Sequence, residues 1–354
     1  MFDPIDLLQE SYDLIWIKYP ETIAKGSRPK FWNDLNRALQ KSIDSLQIFD
    51  ENGINQVDRN YLAFSIISLF ALCFGIVTII LWRWSIDNFI VKNFLIQNDF
   101  VWKRNHRRFE ESFWNLSFYF TSFLLASYIV YSKGFTLDSP QSIHKDFRFD
   151  RRLTQIDPII LVLYSLEFNY YLYSMYAVVW VNEWKKDSKI MILHHLIASL
   201  SLFLSFLTKT YMVGVLVMFS HDICDVFLEG SKCLVKFRIK FIETNQTLLR
   251  AIGFLSFLSC WFYSRLYFFP AFILTSSLEF IREQLPYDWF IIVMILYCFL
   301  LIIFLLDFYW ALLISQLVLN MAKRSQTISD IREIDSDDDS NDQNSGIDEN
   351  SQPK

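Results

Sequence analysis

Three of the five histidines in this 354-residue chain stand inside stretches otherwise composed of side chains that dissolve in hydrocarbon. His194 and His195 belong to KIMILHHLIASLSLFLSFL, and His221, with Asp222 and Asp225, belongs to YMVGVLVMFSHDICDVFLEG. An ionisable group at such a depth is costly and faces a cavity or a partner. A carboxylate bonded to one imidazole nitrogen makes the other a better base or nucleophile, so the residue types suit acid–base or acyl-transfer chemistry. A very short turn near Thr208–Lys209 joins the two stretches into an antiparallel hairpin. His194 and Asp222 are each about 14 residues from that turn, or roughly 20 Å at the helical rise, so they lie at matching depth. His221 and Asp225 are spaced i,i+4, and Asp222 and Asp225 i,i+3, which assigns all three to one helical face. His194 and His195 are roughly 100° apart and cannot both point at the same spot.

Three readings of this cluster compete on chemistry. The groups could be interhelical hydrogen bonds holding a bundle. They could be zinc or iron ligands, although H-x-x-x-H and H-x-x-H-H are absent and adjacent histidines suit one metal poorly. Or they could carry metal-free acid–base or acyl-transfer chemistry on an amphiphile, the reading that five groups at one depth favours. Glu167, Asn169 and Arg265 are further buried polar candidates to line the same cavity or to satisfy one another, and Asp307 is a candidate partner of Arg265. The aromatic stripe FNYYLYSMY (Phe168–Tyr176) reads as packing.

The elements that must position these groups are apolar runs of roughly 20 residues or more, the length that crosses a hydrocarbon core. Residues are 53% hydrophobic and 18% aromatic, which excludes an ordinary soluble domain. Seven spans are expected, at 61–82, 113–132, 157–181, 189–207, 210–234, 248–274 and 288–320. The last is too long for one upright helix and must tilt or project beyond the bilayer. The fold class is therefore an all-α polytopic membrane protein with about seven transmembrane helices. The N-terminus lacks a basic region followed by an apolar core, so no cleavable signal peptide is expected and the first span does the targeting. Residues 1–60 are mixed and polar, with an amphipathic stretch near Phe31–Phe49 read as a solvated helix. Residues 324–354 are acidic and nearly free of aromatics, which predicts a disordered tail.

Basic residues set the orientation. Lys103, Arg104, Arg107 and Arg108, then Lys185, Lys186 and Lys189, then Lys232, Lys236, Arg238 and Lys240 outnumber those on the opposite side. The positive-inside rule then places the N-terminus in the lumen and the C-terminus in the cytosol. The run KRNHRR is membrane-flanking charge rather than a nucleic-acid patch, and no nucleic-acid partner is expected. The five cysteines lie in or beside apolar runs without paired spacing and read as packing residues. The sequons at Asn115 and Asn245 fall within or on the inner side of the membrane and are expected to stay unmodified.

The stretch from Tyr170 to Phe237 resembles the Lag1 motif of ceramide synthases within a TRAM–Lag1–CLN8 (TLC) domain. The matching elements are YYLYSMY, WKKDSKIMILHH and HDICDVFLEGSKCL. The last follows His-Asp-x-x-Asp-x-x-Leu-Glu-x-x-Lys at His221, Asp222, Asp225, Leu228, Glu229 and Lys232. Upstream, KRNHRRFEESFWNLSFYF is similar to the opening of that domain, so the resemblance covers 103–323. Three departures stand out. Residues 83–102 form a linker too short for the homeobox-like insert of many animal members. The N-terminal region lacks a glycosylation site. Asp307 occupies a position where many relatives carry His.

The resemblance implies a bundle of six helices around a central cavity in the endoplasmic reticulum membrane. It implies transfer of a fatty acyl group from acyl-CoA to the amino group of a sphingoid base, with acyl-CoA as co-substrate and no further cofactor or metal. His194 or His195 would serve as general base or as nucleophile, with His194 assigned the covalent role by carry-over. Asp222 and Asp225 would orient imidazoles, and His221 would be a second base or a donor to the thioester. Lys185, Lys186 and Lys189 would receive the CoA head, and Glu167, Asn169 and Arg265 would line the substrate cavity. In that family acyl length is tied to the loop before the last span, here Thr275–Asp288. Homo- or heterodimers with other ceramide synthases are compatible with it. Ser336 and Ser345, each with acid three residues on, suit an acid-directed kinase. Two alternatives remain: a non-catalytic TLC protein of lipid sensing or trafficking, and a metal-dependent membrane lipid hydrolase.

Overall fold

The computed structural model describes residues 75–102, 105–135, 156–182, 184–283, 285 and 287–324. The expectations for residues 1–60, for most of the first span and for the tail with Ser336 and Ser345 lie outside them.

Every regular element among the described residues is helical; the one β-like feature there is an isolated bridge between Val101 and Phe237. Residues 75–85 are α-helical and run into a wide-wound π stretch, Ile86–Ile96; together they are α1. Then follow α2 (His106–Ser132), α3 (Pro158–Trp180), α4 (Ser188–Leu207), α5 (Tyr211–Leu234) and the short α6 (Lys240–Thr244). The long α7 spans Gln246–Glu283, and α8 is Tyr287–Arg324. Five helices are long and apolar enough to cross a membrane: α2, α4, α5, α7 and the Trp289–Asn320 part of α8. The chain is thus an all-α, multi-pass membrane protein. α3, at 23 residues, is roughly 35 Å long, but its five tyrosines make it less apolar.

Local chemistry fixes the helix ends. Asp157 caps α3 by accepting from the Ile159 N–H at 3.2 Å, and Pro158 follows where its missing N–H costs nothing. The α4–α5 turn needs a left-handed residue, and Lys209 supplies it at φ 61°. Ser205 Oγ donates to the Thr210 carbonyl at 2.9 Å, and the Tyr164 hydroxyl donates to the Tyr211 carbonyl at 3.0 Å, so the turn is tied to α3. Gly214 sits so close to the Tyr164 hydroxyl that any Cβ would collide with it.

One stretch expected to be a loop is largely helical, and so is the linker that precedes α2. The linker 83–102 is helix as far as Ile96. The segment Thr275–Asp288 continues α7 as far as Glu283. Its Ser, Glu and Arg residues read as loop, but Leu278 and Ile281 are buried with Trp289 and Ile292 of α8 in the largest apolar core. That packing overrides the polar composition.

α5 is the central element, in contact with α2, α3, α4 and α7, while α8 packs on α4 and α7. The middle of α7, Phe262–Leu274, is π-wound and contains Pro270. Proline has no N–H to give to an α-helical ladder, and widening the turn accommodates it. The Pro270 carbonyl accepts from Thr275 Oγ1 at 3.0 Å.

Candidate active site

The π-wound stretch of α7 brings Arg265 against α5. Its guanidinium donates to Asp225 Oδ2 at 2.8 Å, to Asp307 Oδ1 at 2.9 Å and to the His221 carbonyl at 3.3 Å. The same group lies 4.3 Å from the Trp261 ring centroid, a cation–π contact. Asp307, fully buried on α8, also meets His221 Nε2 at 3.0 Å. His221 Nδ1 lies 2.9 Å from the Val217 carbonyl. His221 Nδ1 also lies 3.1 Å from the Ser220 hydroxyl, so both ring nitrogens are held by neighbours. The Ser264 hydroxyl donates to the Ser220 carbonyl and fastens α7 to α5 one residue away.

Asp222 faces the other way. Its Oδ2 accepts from Ser122 Oγ of α2 at 2.6 Å, and the same hydroxyl contacts Glu167 Oε1 of α3. Asp222 reaches no imidazole. Adjacent helical residues diverge by roughly 100°, so with His221 turned to α8 its neighbour must face α2 and α3. The expectation that His221, Asp222 and Asp225 share one helical face is corrected accordingly: Asp225 joins His221 on the Arg265 side, and Asp222 turns away from both.

His194 and His195 lie between two cavities. His194, His221 and Tyr171 line a narrow apolar cavity of ≈ 40 Å³ that extends toward the α4–α5 turn past Ala198, Ser201 and Ser205 to Gly214. His195 and Asp225 line a second, more polar cavity of ≈ 110 Å³, with Tyr119, Tyr170, Tyr173, Asn115, Glu229 and Lys185 around it. The two imidazoles are 5.6 Å apart, His195 is 5.5 Å from Tyr171, and His194 is 5.3 Å from Trp310. Nδ1 of each ring is buried without a hydrogen-bond partner. A buried nitrogen left open in this way is available to a proton or a substrate.

Ion pairs ring the polar cavity. Lys185 pairs with Glu111 at 3.2 Å, Lys232 with Glu229 at 2.8 Å, and Arg83 with Asp87 at 3.4 Å. Burial pushes the Asp87 carboxyl up from its ordinary value, and Arg83 opposes that. Arg83 also donates to the Tyr173 hydroxyl at 3.0 Å, so α1 supplies a wall of this cavity.

Of the three lysines expected near a soluble head group, Lys185 lines the cavity, whereas Lys186 and Lys189 are exposed beside it. Asn169 lines neither cavity: its amide donates to the Ser165 carbonyl at 2.7 Å and packs against Gly75 of α1. Glu167 meets Ser122 and lies one helical turn from Tyr171 on the same face of α3. Sequence reasoning misses Ser122, because serine is ordinary in a membrane helix and carries no charge to betray it. It finds Tyr171 only as packing. Among the described residues, no three His, Cys, Asp or Glu side chains gather at metal-binding spacing.

Comparison with known proteins places residues 108–316 in the family model described as the TLC domain. The chain is 32% identical to ceramide synthase 1 of Mus musculus over 186 residues, 52% of each chain. It is 29% identical to ceramide synthase 1 of Homo sapiens over 240 residues, 66% of each. It is 27% identical to ASC1-like protein 3 of Oryza sativa subsp. japonica over 244 residues, 67% of this chain and 81% of that one. The matches to the first two relatives thus span between half and two thirds of their length.

Proposed function

The chain belongs to the TLC domain family, and on that premise we propose that it is an N-acyltransferase that moves a fatty acyl group from acyl-CoA to the amino group of a sphingoid base. The observation that carries this reading is the position of the two histidines. One lines an apolar cavity, the other a polar one, and each keeps an unpartnered ring nitrogen. An amide formed between a fatty acid and an amino alcohol joins those two environments.

In this reading the thioester carbonyl lies at His194, with its chain directed into the apolar cavity. At ≈ 40 Å³ that cavity is too small for a long acyl chain, and loading one requires α4, α5 and α8 to part. The amine lies in the polar cavity, where His195 takes its proton and Glu229 offsets its charge. His194 acts as the nucleophile, or holds the thioester while the amine attacks directly. The Arg265 network fixes His221 and α5 rather than touching substrate. We place the protein in the endoplasmic reticulum membrane, with the N-terminus lumenal and the polar cavity open to the cytosol. There Lys185 meets the CoA head, with Lys186 and Lys189 close by, and acyl-CoA is the acyl donor with no further cofactor. The family names of the relatives, ceramide synthase among them, agree with this chemistry.

The test is N-acylation by microsomes from cells that lack ceramide synthase activity and express the full chain. They receive a labelled sphingoid base and a panel of acyl-CoAs. Labelled ceramide is expected, lost in the His194→Ala/His195→Ala variant at equal protein level. No product with any acyl-CoA, or full product from the double variant, overturns the reading.

A further inference from the structure

Glu167 and Asp222 are buried titratable groups that this mechanism leaves unused. They are 0% and 1% exposed, they come from α3 and α5, and both contact the single hydroxyl of Ser122 on α2. Because both meet that one hydroxyl, the two carboxyls lie against each other. A hydroxyl has one hydrogen to donate, so it satisfies one carboxylate; the second contact needs a hydrogen from the other carboxyl. Two ionised carboxylates cannot hydrogen bond to one another, and like charges this close do not both ionise. Among the described residues no lysine, arginine or histidine pairs with either. The far oxygens, Glu167 Oε2 and Asp222 Oδ1, are buried without a partner. The groups facing the pair are Ser122 from α2, Tyr171 from α3 and Asp225 from α5, the last already held by Arg265. Tyr171 follows Glu167 by one turn on the same face of α3, and its ring lies 5.5 Å from that of His195 of α4.

We propose that Glu167 and Asp222, bridged by Ser122, share one proton and serve as a proton-positioning pair that relieves His195 through Tyr171 during the amine step. The inference rests on the acyl-transfer reading above. A sphingoid amine arrives from water as an ammonium ion and must lose a proton before it can attack. His195 takes that proton at the polar cavity and passes one through the Tyr171 hydroxyl to the pair. The pair goes from one proton and one negative charge to two protons and none. The C–N bond then forms, the C–S bond breaks, and the second amine proton goes to the departing CoA thiolate. The pair returns its extra proton to water as product leaves, so each amide releases one proton overall. Two carboxyls sharing a proton can take up another with little rearrangement, whereas Asp225 and Asp307 are committed to Arg265.

Three variants of the full chain test this. Glu167→Gln keeps the size and hydrogen bonding of the side chain but exchanges no proton. Turnover near neutral pH should fall about ten- to a hundred-fold, the scale of acid–base assistance, with KM for both substrates nearly unchanged. The loss should shrink as pH rises and the amine arrives uncharged. Glu167→Asp should restore the profile, and Ser122→Ala should give a smaller loss with a shifted profile. Infrared spectra of purified protein supply a readout independent of turnover: the carbonyl band of a protonated carboxylic acid at neutral pH, present in wild type and absent in Glu167→Gln. A Glu167→Gln variant with the wild-type pH profile overturns the proposal, as does a wild type without the band. So does a loss equal at every pH that tracks lowered melting temperature. A wild type that shows the band but forms no amide instead removes the acyl-transfer reading, and the relay role falls with it.

Discussion

On the α7–α8 side of α5, Arg265 gathers Asp225 and Asp307, and Asp307 also holds His221. On the α2–α3 side, Asp222 and Glu167 meet on one hydroxyl, with no cation paired to them among the described residues. Both sets are buried at similar depth on one helix. The first has Arg265 to set against its carboxylates and, of its buried polar atoms, leaves only the Arg265 Nε without a partner. The second has open oxygens, and beside it two histidines have open nitrogens. A network whose groups are all engaged holds helices together, while one with unused capacity can receive a proton or a substrate. Burial alone does not separate a brace from a reaction site; unspent hydrogen-bonding capacity does.

The largest effect expected from breaking this contrast is at Arg265. Arg265→Met strips the buried Asp307 and the half-buried Asp225 of their cation and should cost about 3–5 kcal/mol, read as a lower melting temperature in detergent and poor accumulation in the membrane. Arg265→Lys should not restore it, since an ammonium cannot serve both carboxylates in the same fork. A wild-type melting temperature for Arg265→Met would show that the brace is no brace. A smaller effect is expected at Asp307. Asp307→Asn keeps the shape but weakens the bonds to His221 and Arg265, at about 1–3 kcal/mol, with chemical denaturation as the measure. The smallest lies away from both layers, at the α4–α5 turn. Tyr164→Phe removes the hydroxyl held by Ser205 and the Tyr211 carbonyl and should cost about 1 kcal/mol. If it cost more than Asp307→Asn, the turn rather than the polar layer would be the principal fastening.

The sequence made the membrane helices legible because an uninterrupted apolar run of that length is stable only where hydrocarbon surrounds it. The observed α4 and α5 begin and end within one residue of the expected spans. It hid the end of α7, where Ser276, Ser277, Glu279 and Arg282 read as a loop although Leu278 and Ile281 are buried. In the candidate site, the charged residues announced themselves by standing in apolar runs, but their partners did not. Nothing in the sequence distinguished Ser122 from the other serines of α2, nor told that Asn169 would give its amide to the Ser165 carbonyl and pack against α1. Which neighbour each side of α5 meets depends on helix rotation, and rotation is set by packing across several helices at once.

That rotation has a consequence for how the chain can change. Consecutive residues of α5 specify four neighbours: His221 is matched to Asp307 of α8 and to Arg265 of α7 through its carbonyl, and Asp222 to Ser122 of α2 and Glu167 of α3. Turning α5 to improve either match spoils the other, as a key cut on both edges fits its lock in one orientation only. A variant chain that exchanges Asp307 for another residue therefore cannot adjust by twisting α5; it must find its compensation in α7 or α8 and leave the α2–α3 edge untouched. The two edges can diversify separately, but only while the helix that carries both stays fixed.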